Sequence, residues 1–210
     1  MPFESYLYNG IFLAEYIARL TSAPDVKAVA VSPLFLGNTY NEGIIRAVND
    51  YESYLEAEVA KDPNYVTNTA VNPATQFQFY YSAPAVALQI ANRAINSSNA
   101  IWPTAVNGDV PTVPITGYGG QPIPALFAQG YKGVDGTHYL LVTNKSNQSL
   151  RFAIEVNGTL LEQAVTVMAV TNSSDVAQNT ATNPNNVQPV TKTSGNPVTI
   201  GPYSVTTVYW

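Results

Sequence analysis

Residues 150–158 read Leu-Arg-Phe-Ala-Ile-Glu-Val-Asn-Gly, and this stretch decides the class of fold. Large apolar residues stand at the even positions from 150 to 156, with an arginine, an alanine and a glutamate between them. A period of two indicates a strand with one buried face and one wet face. The Asn-Gly dipeptide that follows favours a tight hairpin turn. The stretch therefore predicts antiparallel β-structure.

The region from residue 99 to residue 210 repeats this pattern. Short apolar or alternating runs are separated by turn residues, and the sequence Val-Asp-Gly-Thr at 134–137 predicts a second hairpin. The runs span residues 100–106, 110–115, 124–131, 138–144, 150–156, 164–170, 187–192, 198–200 and 203–210. About eight short strands at this spacing predict a mainly β domain over residues 99–210, folded as an antiparallel β-sandwich.

Residues 1–98 have a different pattern. Apolar side chains recur at helical spacing over residues 5–20 and 82–96, and Ser82 stands where an N-cap residue belongs. Between these helices, residues 26–36 form a nearly continuous apolar run that is typical of a strand buried on both faces. This part of the chain is therefore predicted to be a helical segment with one buried strand.

The composition excludes several classes of function. The net charge is −5 and there are nine lysines and arginines, with no basic cluster, so we expect no nucleic acid partner. Cysteine is absent and His138 is the single histidine, so no thiolate, Cys-ligated metal or multi-histidine metal site is expected, and no cofactor is indicated. The sequence has no run of 18 apolar residues, so no membrane-spanning helix is predicted. His138 itself is interpreted as a half-exposed residue at the start of a strand.

Four stretches resemble a known family. They are IPALFA at 123–128, YLLVTNKS at 139–146, IGPYSVTTV at 200–208 and LYNGIFLAEY at 7–16. The first three resemble the C-terminal β-sandwich of clan-A glycoside hydrolases, that is, of α-L-arabinofuranosidase, β-xylosidase and β-glucuronidase-like enzymes. The fourth is similar to the seventh helix of their (β/α)8 barrel. The resemblance implies that residues 1–98 correspond to barrel repeats seven and eight.

The resemblance also bears on catalysis. Retaining enzymes of this kind use two glutamates about 5 Å apart, at the carboxyl ends of barrel strands four and seven. Aligned in this way, the sequence starts just after strand seven, so both glutamates are expected to be missing. Glu4 lies near the position of the nucleophile, but Ser5 replaces the usual aromatic residue. Asn41-Glu42 imitates the acid/base motif, but it follows the predicted eighth strand.

Three functions follow from this resemblance. The first is a non-catalytic C-terminal accessory part of a polysaccharide-degrading glycoside hydrolase, which supports the barrel and contacts carbohydrate. The second is a free-standing carbohydrate-binding or cell-surface module. The third is an active glycoside hydrolase that uses Glu4 and Glu42. All three imply a secreted or periplasmic protein, although no export signal precedes Glu4 in this sequence.

Carbohydrate contact requires exposed aromatic rings, because a sugar ring presents an apolar C–H face on which such rings stack. The candidates are Trp102, Tyr118, Tyr131 and Trp210. The alternative for the two tryptophans is a place in the core of the sandwich.

Self-association is also expected. Apolar residues of the N-terminal region, among them Ile11, Phe12, Val29 and Val31, would be covered by neighbouring elements in a complete barrel. Without those neighbours they should form an exposed patch that a second copy of the chain covers. The sequence therefore predicts a dimer or larger oligomer joined through the N-terminal helices.

Overall fold

Two helices cover one face of a six-stranded antiparallel sheet in the computed structural model of this chain. The structure describes residues 6–23, 26, 45–47, 79–114, 121–180 and 182–210. The helices are α1, Leu7–Thr21, and α2, Ala83–Ile95. The strands are β1 Ile45–Ala47, β2 Phe79–Tyr81, β3 Ser98–Trp102, β4 Thr112–Val113, β5 Ile123–Pro124, β6 Leu126–Gly133, β7 His138–Asn144, β8 Leu150–Phe152, β9 Glu155–Val156, β10 Thr159–Leu160, β11 Val165–Thr171, β12 Val190–Ser194, β13 Val198–Ile200 and β14 Ser204–Tyr209.

The central sheet has the strand order β12-β11-β14-β7-β6-β3, and each neighbouring pair is antiparallel. The β6–β7 hairpin turns where the sequence predicted it. Gly136 has a φ of 86°, and the backbone N–H of Thr137 donates to the Asp135 carboxylate at 3.0 Å. Four two-stranded pairs, β8–β13, β9–β10, β4–β5 and β1–β2, lie outside this sheet.

Side chains of the central sheet alternate between two cores. The helix-side core joins both helices to residues of β6, β7, β11 and β14, which are Tyr131, Tyr139, Leu141, Val170 and Val205. The opposite core joins Val142, Val167 and Val208 to Ile154, Val198 and Ile200 of the facing segments. The sheet is therefore the middle layer of the protein.

The stretch at 150–158 forms part of the outer layer, as its alternation predicted. Ile154 is 6% exposed and packs in the opposite core with its even-numbered neighbours, while Arg151 and Glu155 are exposed. Asn157 and Gly158 have φ values of 53° and 78° and connect β9 to β10. The predicted fold, a mainly β sandwich with a helical segment, is confirmed.

The ends of both helices are held by specific hydrogen bonds. The Ser82 hydroxyl accepts from the Ala85 backbone N–H at 3.3 Å, which confirms Ser82 as the N-cap of α2. In α1, the backbone N–H of Leu7 donates to the Ala177 carbonyl at 2.8 Å. This bond ties the start of α1 to the loop between β11 and β12. No helix among the described residues is long and apolar enough to cross a membrane.

The two helices touch at Gly10. A Cβ atom on this residue would lie 2.7 Å from the Ala87 Cβ and 2.8 Å from the Pro84 Cα, closer than real atoms approach. Glycine at position 10 therefore sets the distance between α1 and α2.

The expectation that Ile11 lacks a partner within the chain is wrong. Its side chain is fully buried in the helix-side core, because α1 packs against α2 and the central sheet. The ring of Phe12 contacts Tyr8, with centroids 4.8 Å apart. Val29 and Val31, like most of the predicted strand 26–36, lie outside the described residues. Self-association stays a prediction.

The predicted boundary near residue 98 passes through the helix-side core, which contains residues from both sides of it. Whether the two parts fold separately stays a prediction.

Candidate functional site

A groove of about 790 Å³ lies on the face of the central sheet that points away from the helices. One wall is the segment after β3, residues 103–107, and the other is formed by residues 151–158. Strands β6 and β7 form the floor, with the residues Leu126, Ala128, Gly130, Leu140 and Val142. The groove therefore opens where the outer layer of the sandwich stops short of strand β3.

Three aromatic rings stand in a row at one end of the groove. The Trp102 and His138 ring centroids are 4.0 Å apart, and those of His138 and Trp210 are 5.6 Å apart with the planes inclined by 27°. All three side chains are half-buried. The backbones of His138 and Trp210 exchange two hydrogen bonds, of 3.0 and 3.1 Å. This row is held in place by sheet pairing on both strands.

The wall next to Trp102 is fixed to the floor by Thr104. Its hydroxyl accepts from the Gly130 backbone N–H at 2.7 Å and donates to the Trp102 carbonyl at 2.9 Å. A Cβ atom at position 130 would lie 2.5 Å from that hydroxyl oxygen, so glycine is needed for the wall to approach. The groove is therefore formed before any ligand arrives.

The rim of the groove is polar and its charges balance. Arg151 and Glu155 are the charged residues among those that line it, and both are exposed. Partial burial, together with the nearby Lys132, holds the pKa of His138 below its usual 6.5. At neutral pH the imidazole is uncharged, so the described residues that line the groove carry no net charge.

A buried ion pair lies on the other face of the sheet, between α1 and the end of β7. The Lys145 ammonium is 2.5 Å from the Glu15 carboxylate, and the two side chains are 2% and 12% exposed. Glu15 also accepts from Thr143 at 3.2 Å and from Arg19 at 2.7 Å. Burial alone would raise the pKa of Glu15, but the hydrogen bonds and charges of Lys145 and Arg19 outweigh it and hold the pKa below 4.5.

Asn144 organises the polar turn that follows strand β7. This fully buried side chain donates to the carbonyls of Gln148 and Gly201 at 2.7 and 2.8 Å. Its carbonyl oxygen accepts from the Ser146 backbone N–H at 3.0 Å. Asn144 therefore shapes the turn after β7 and joins it to the start of β14.

The structure separates the predicted site residues. Trp102 lines the groove, whereas the Tyr131 ring is 2% exposed in the helix-side core and bonds through its hydroxyl to Thr21 at 3.2 Å. Tyr131 is thereby removed from the sugar-stacking candidates, because it alternates to the buried side of β6. Glu4, Glu42 and Tyr118 lie outside the described residues.

One residue of the aromatic row, His138, was not among the predicted site residues, whereas Trp102 and Trp210 were stacking candidates. Trp210 follows the alternating run of β14, which indicated the face it lies on, and His138 begins β7. Neither pattern indicated that the His138 ring contacts both indole rings. Among the described residues, no three His, Asp or Glu side chains gather as metal ligands.

Known proteins resemble this chain in their fold. No family model and no curated protein matches the chain. Among solved structures, the GH51 α-L-arabinofuranosidase of Thermotoga petrophila is similar, with 19% identity and a TM-score of 0.67 over 99% of this chain. The GH51 arabinofuranosidase of Xanthomonas axonopodis pv. citri has 15% identity and a TM-score of 0.68 over 98%.

The alpha-L-arabinofuranosidase of Thermotoga maritima has 19% identity and a TM-score of 0.65, also over 98% of this chain. The chain spans 36–39% of the length of these three proteins. It therefore has the fold of part of a clan-A glycoside hydrolase, which confirms the fold that the resemblance implied.

Proposed function

We propose that this chain is a non-catalytic accessory part of a polysaccharide-degrading glycoside hydrolase, in which it supports the catalytic barrel. One observation carries the proposal. The likeness to arabinofuranosidases runs through both the helices and the sandwich, and these share one core in this chain. A sandwich fused in this way to helices can brace whatever packs against the outer side of those helices.

The described carboxylates favour a supporting role over catalysis. Glu15 is held in its ion pair with Lys145, so it serves to fix α1 to the sheet. Asp135 accepts a backbone hydrogen bond in the β6–β7 turn. Glu155 is the one described carboxylate that lines the groove, whereas a glycosidase needs two facing each other across the sugar.

A hydrolysis assay tests the proposal. The purified chain is incubated with nitrophenyl α-L-arabinofuranoside, β-xyloside and β-glucoside, and nitrophenol release is followed. We expect release at the rate of buffer alone. Turnover that disappears in Glu4→Gln and Glu42→Gln variants would overturn the proposal in favour of an active hydrolase.

A carbohydrate-binding role is the second candidate, and the groove with its row of aromatic rings favours it. A secreted or periplasmic location belongs to the same proposal, since a long extracellular polysaccharide does not cross a membrane. Association through the helices belongs to the same proposal, and light scattering at high micromolar concentration tests it. A clean monomer would count against association.

A further inference from the structure

We propose that the groove between residues 103–107 and 151–158 binds a neutral polysaccharide chain, with Trp102 and Trp210 as its stacking surfaces. The inference rests on the proposed function for the class of ligand, and on the groove itself for the site. It places the stacking candidates Trp102 and Trp210 in one groove, adds His138 between them, and leaves out the buried Tyr131.

The chemistry of the lining matches a sugar. A pyranose or furanose ring has apolar C–H faces and a rim of hydroxyl groups, so its site needs aromatic surface and polar side chains side by side. Tryptophan offers the largest such surface, and aromatic side chains dominate the energetics of many binding sites. Here the two tryptophans line the same groove as the polar residues Asn107, Arg151 and Glu155.

His138 gives the aromatic row its spacing. Its ring lies between the two indoles, 4.0 Å from one and 5.6 Å from the other, so the tryptophans are held apart and cannot collapse onto each other. Partial burial and the nearby Lys132 both disfavour the charged imidazole and lower the pKa of His138. The row therefore remains an uncharged surface at neutral pH.

The size and charge of the groove select among ligands. A volume of about 790 Å³ lies in the upper part of the range of roughly 300–1,000 Å³ for ligand sites, so the groove admits an oligosaccharide. Arg151 and Glu155 balance each other, and the whole chain carries a charge of −5. An acidic polysaccharide or a nucleic acid would meet no excess of positive charge, which leaves a neutral chain as the occupant.

The groove is also rigid before binding. The Thr104 hydroxyl fixes the Trp102 wall to the floor, and the two backbone hydrogen bonds to His138 fix Trp210. Less ordering is then needed on binding, so more of the contact energy is retained as affinity.

The sequence provides its own probe for this site. It contains two tryptophans, and both line the groove. Intrinsic fluorescence therefore reports occupancy of the groove directly. Arabino-oligosaccharides and xylo-oligosaccharides are titrated into the full chain, with an oligogalacturonide as the acidic comparison and isothermal titration as a second readout.

We expect a saturable change in tryptophan emission with a neutral oligosaccharide and at least tenfold weaker binding of the oligogalacturonide. By isothermal titration, Trp102→Ala and Trp210→Ala should each weaken binding at least tenfold. Tyr16→Ala is the matched control, since this side chain is 59% exposed on α1, on the other side of the sheet, and its loss should leave binding unchanged.

A tryptophan variant that fails to fold is replaced by Ala153→Arg, which adds bulk to the groove from an exposed position and should also abolish binding. The proposal is overturned if no neutral oligosaccharide binds, if the acidic one binds as tightly, or if the groove variants bind like the unchanged chain. Sugar release during the titration would instead overturn the non-catalytic role, so the two failures are distinguishable.

Discussion

The ion pair between Glu15 and Lys145 should be a main determinant of how firmly α1 is held to the sheet. Its atoms are 2.5 Å apart and the lysine side chain is 2% exposed. At an effective dielectric constant of about 20, two unit charges at that distance attract by roughly 6–7 kcal/mol. Desolvation of both groups offsets much of this attraction, so the net effect has to be measured by removing one partner.

Removal of one partner of a buried pair costs about 3–5 kcal/mol, because the other charge stays buried without compensation. For Lys145→Met we expect the lower end, about 3 kcal/mol, since Arg19 still lies 2.7 Å from Glu15. For a chain of this size, about 3 kcal/mol corresponds to a decrease in Tm of about 6–12 °C. Glu15→Gln leaves the less exposed Lys145 without an anion and should cost at least as much.

The assay is chemical denaturation of each variant, followed by circular dichroism, with the double variant Glu15→Leu/Lys145→Met included. Because an apolar pair of similar volume needs no desolvation of charge, the double variant should recover more than half of the loss. Arg19→Gln is the control, since its side chain is 62% exposed and should contribute about 1 kcal/mol or less. Single variants within about 0.5 kcal/mol of the unchanged chain, or strictly additive losses, would refute the reasoning.

Three further changes probe other parts of the structure. Gly10→Ala should cost about 1–3 kcal/mol, since the new methyl group would overlap Ala87 across the helix contact. Asn144→Ala should cost at least about 2 kcal/mol, because it leaves buried backbone groups without partners. His138→Gln should make the protein less sensitive to acid. The pKa of His138 is lower in the folded state than in the unfolded state, so below pH 6.5 the unfolded state binds more protons. The free energy of unfolding of the unchanged chain therefore falls as the pH drops.

Matched variants separate these effects from nonspecific ones. Asn9→Ala adds a better helix former at an exposed position of α1 and should be neutral or slightly stabilising. Asn185→Ala removes an exposed asparagine and should have little effect. Thermal melts at neutral pH compare each pair, and a Gly10 or Asn144 variant as stable as its control would contradict the packing argument. The His138→Gln prediction is tested by thermal melts from pH 7.5 to 5. If the Tm of the variant falls with pH in parallel with that of the unchanged chain, the role assigned to His138 is contradicted.

Much of the sandwich was determined locally and could therefore be predicted. Alternation over residues 150–156 indicated which side chains share a face, because successive residues of a strand point to opposite sides. The two hairpins and the Ser82 cap also depend on residues within a few positions of one another. The resemblance to glycoside hydrolases rested on such segments as well, and the fold agrees with it.

The candidate site depended on pairing between distant segments. The alternation of side chains along β6 places Tyr131 and every second neighbour on one face of the sheet, but it does not say which face the helices cover. The register of β3 on β6, of β6 on β7 and of β7 on β14 brings Trp102, His138 and Trp210 together. No pattern within a single segment contains that register.

The same limit explains why the burial of Ile11 and the Glu15–Lys145 ion pair could not be predicted from the sequence. Glu15 and Lys145 are 130 positions apart, and each reads in isolation as an ordinary exposed charge. Ile11 was expected to lack a partner, but it is buried in a core whose residues from α2 and the sheet lie more than 70 positions along the chain. The sequence by itself determined the strands, turns and helix starts, whereas the tertiary structure decided which of their faces meet, since that choice depends on contacts between remote segments.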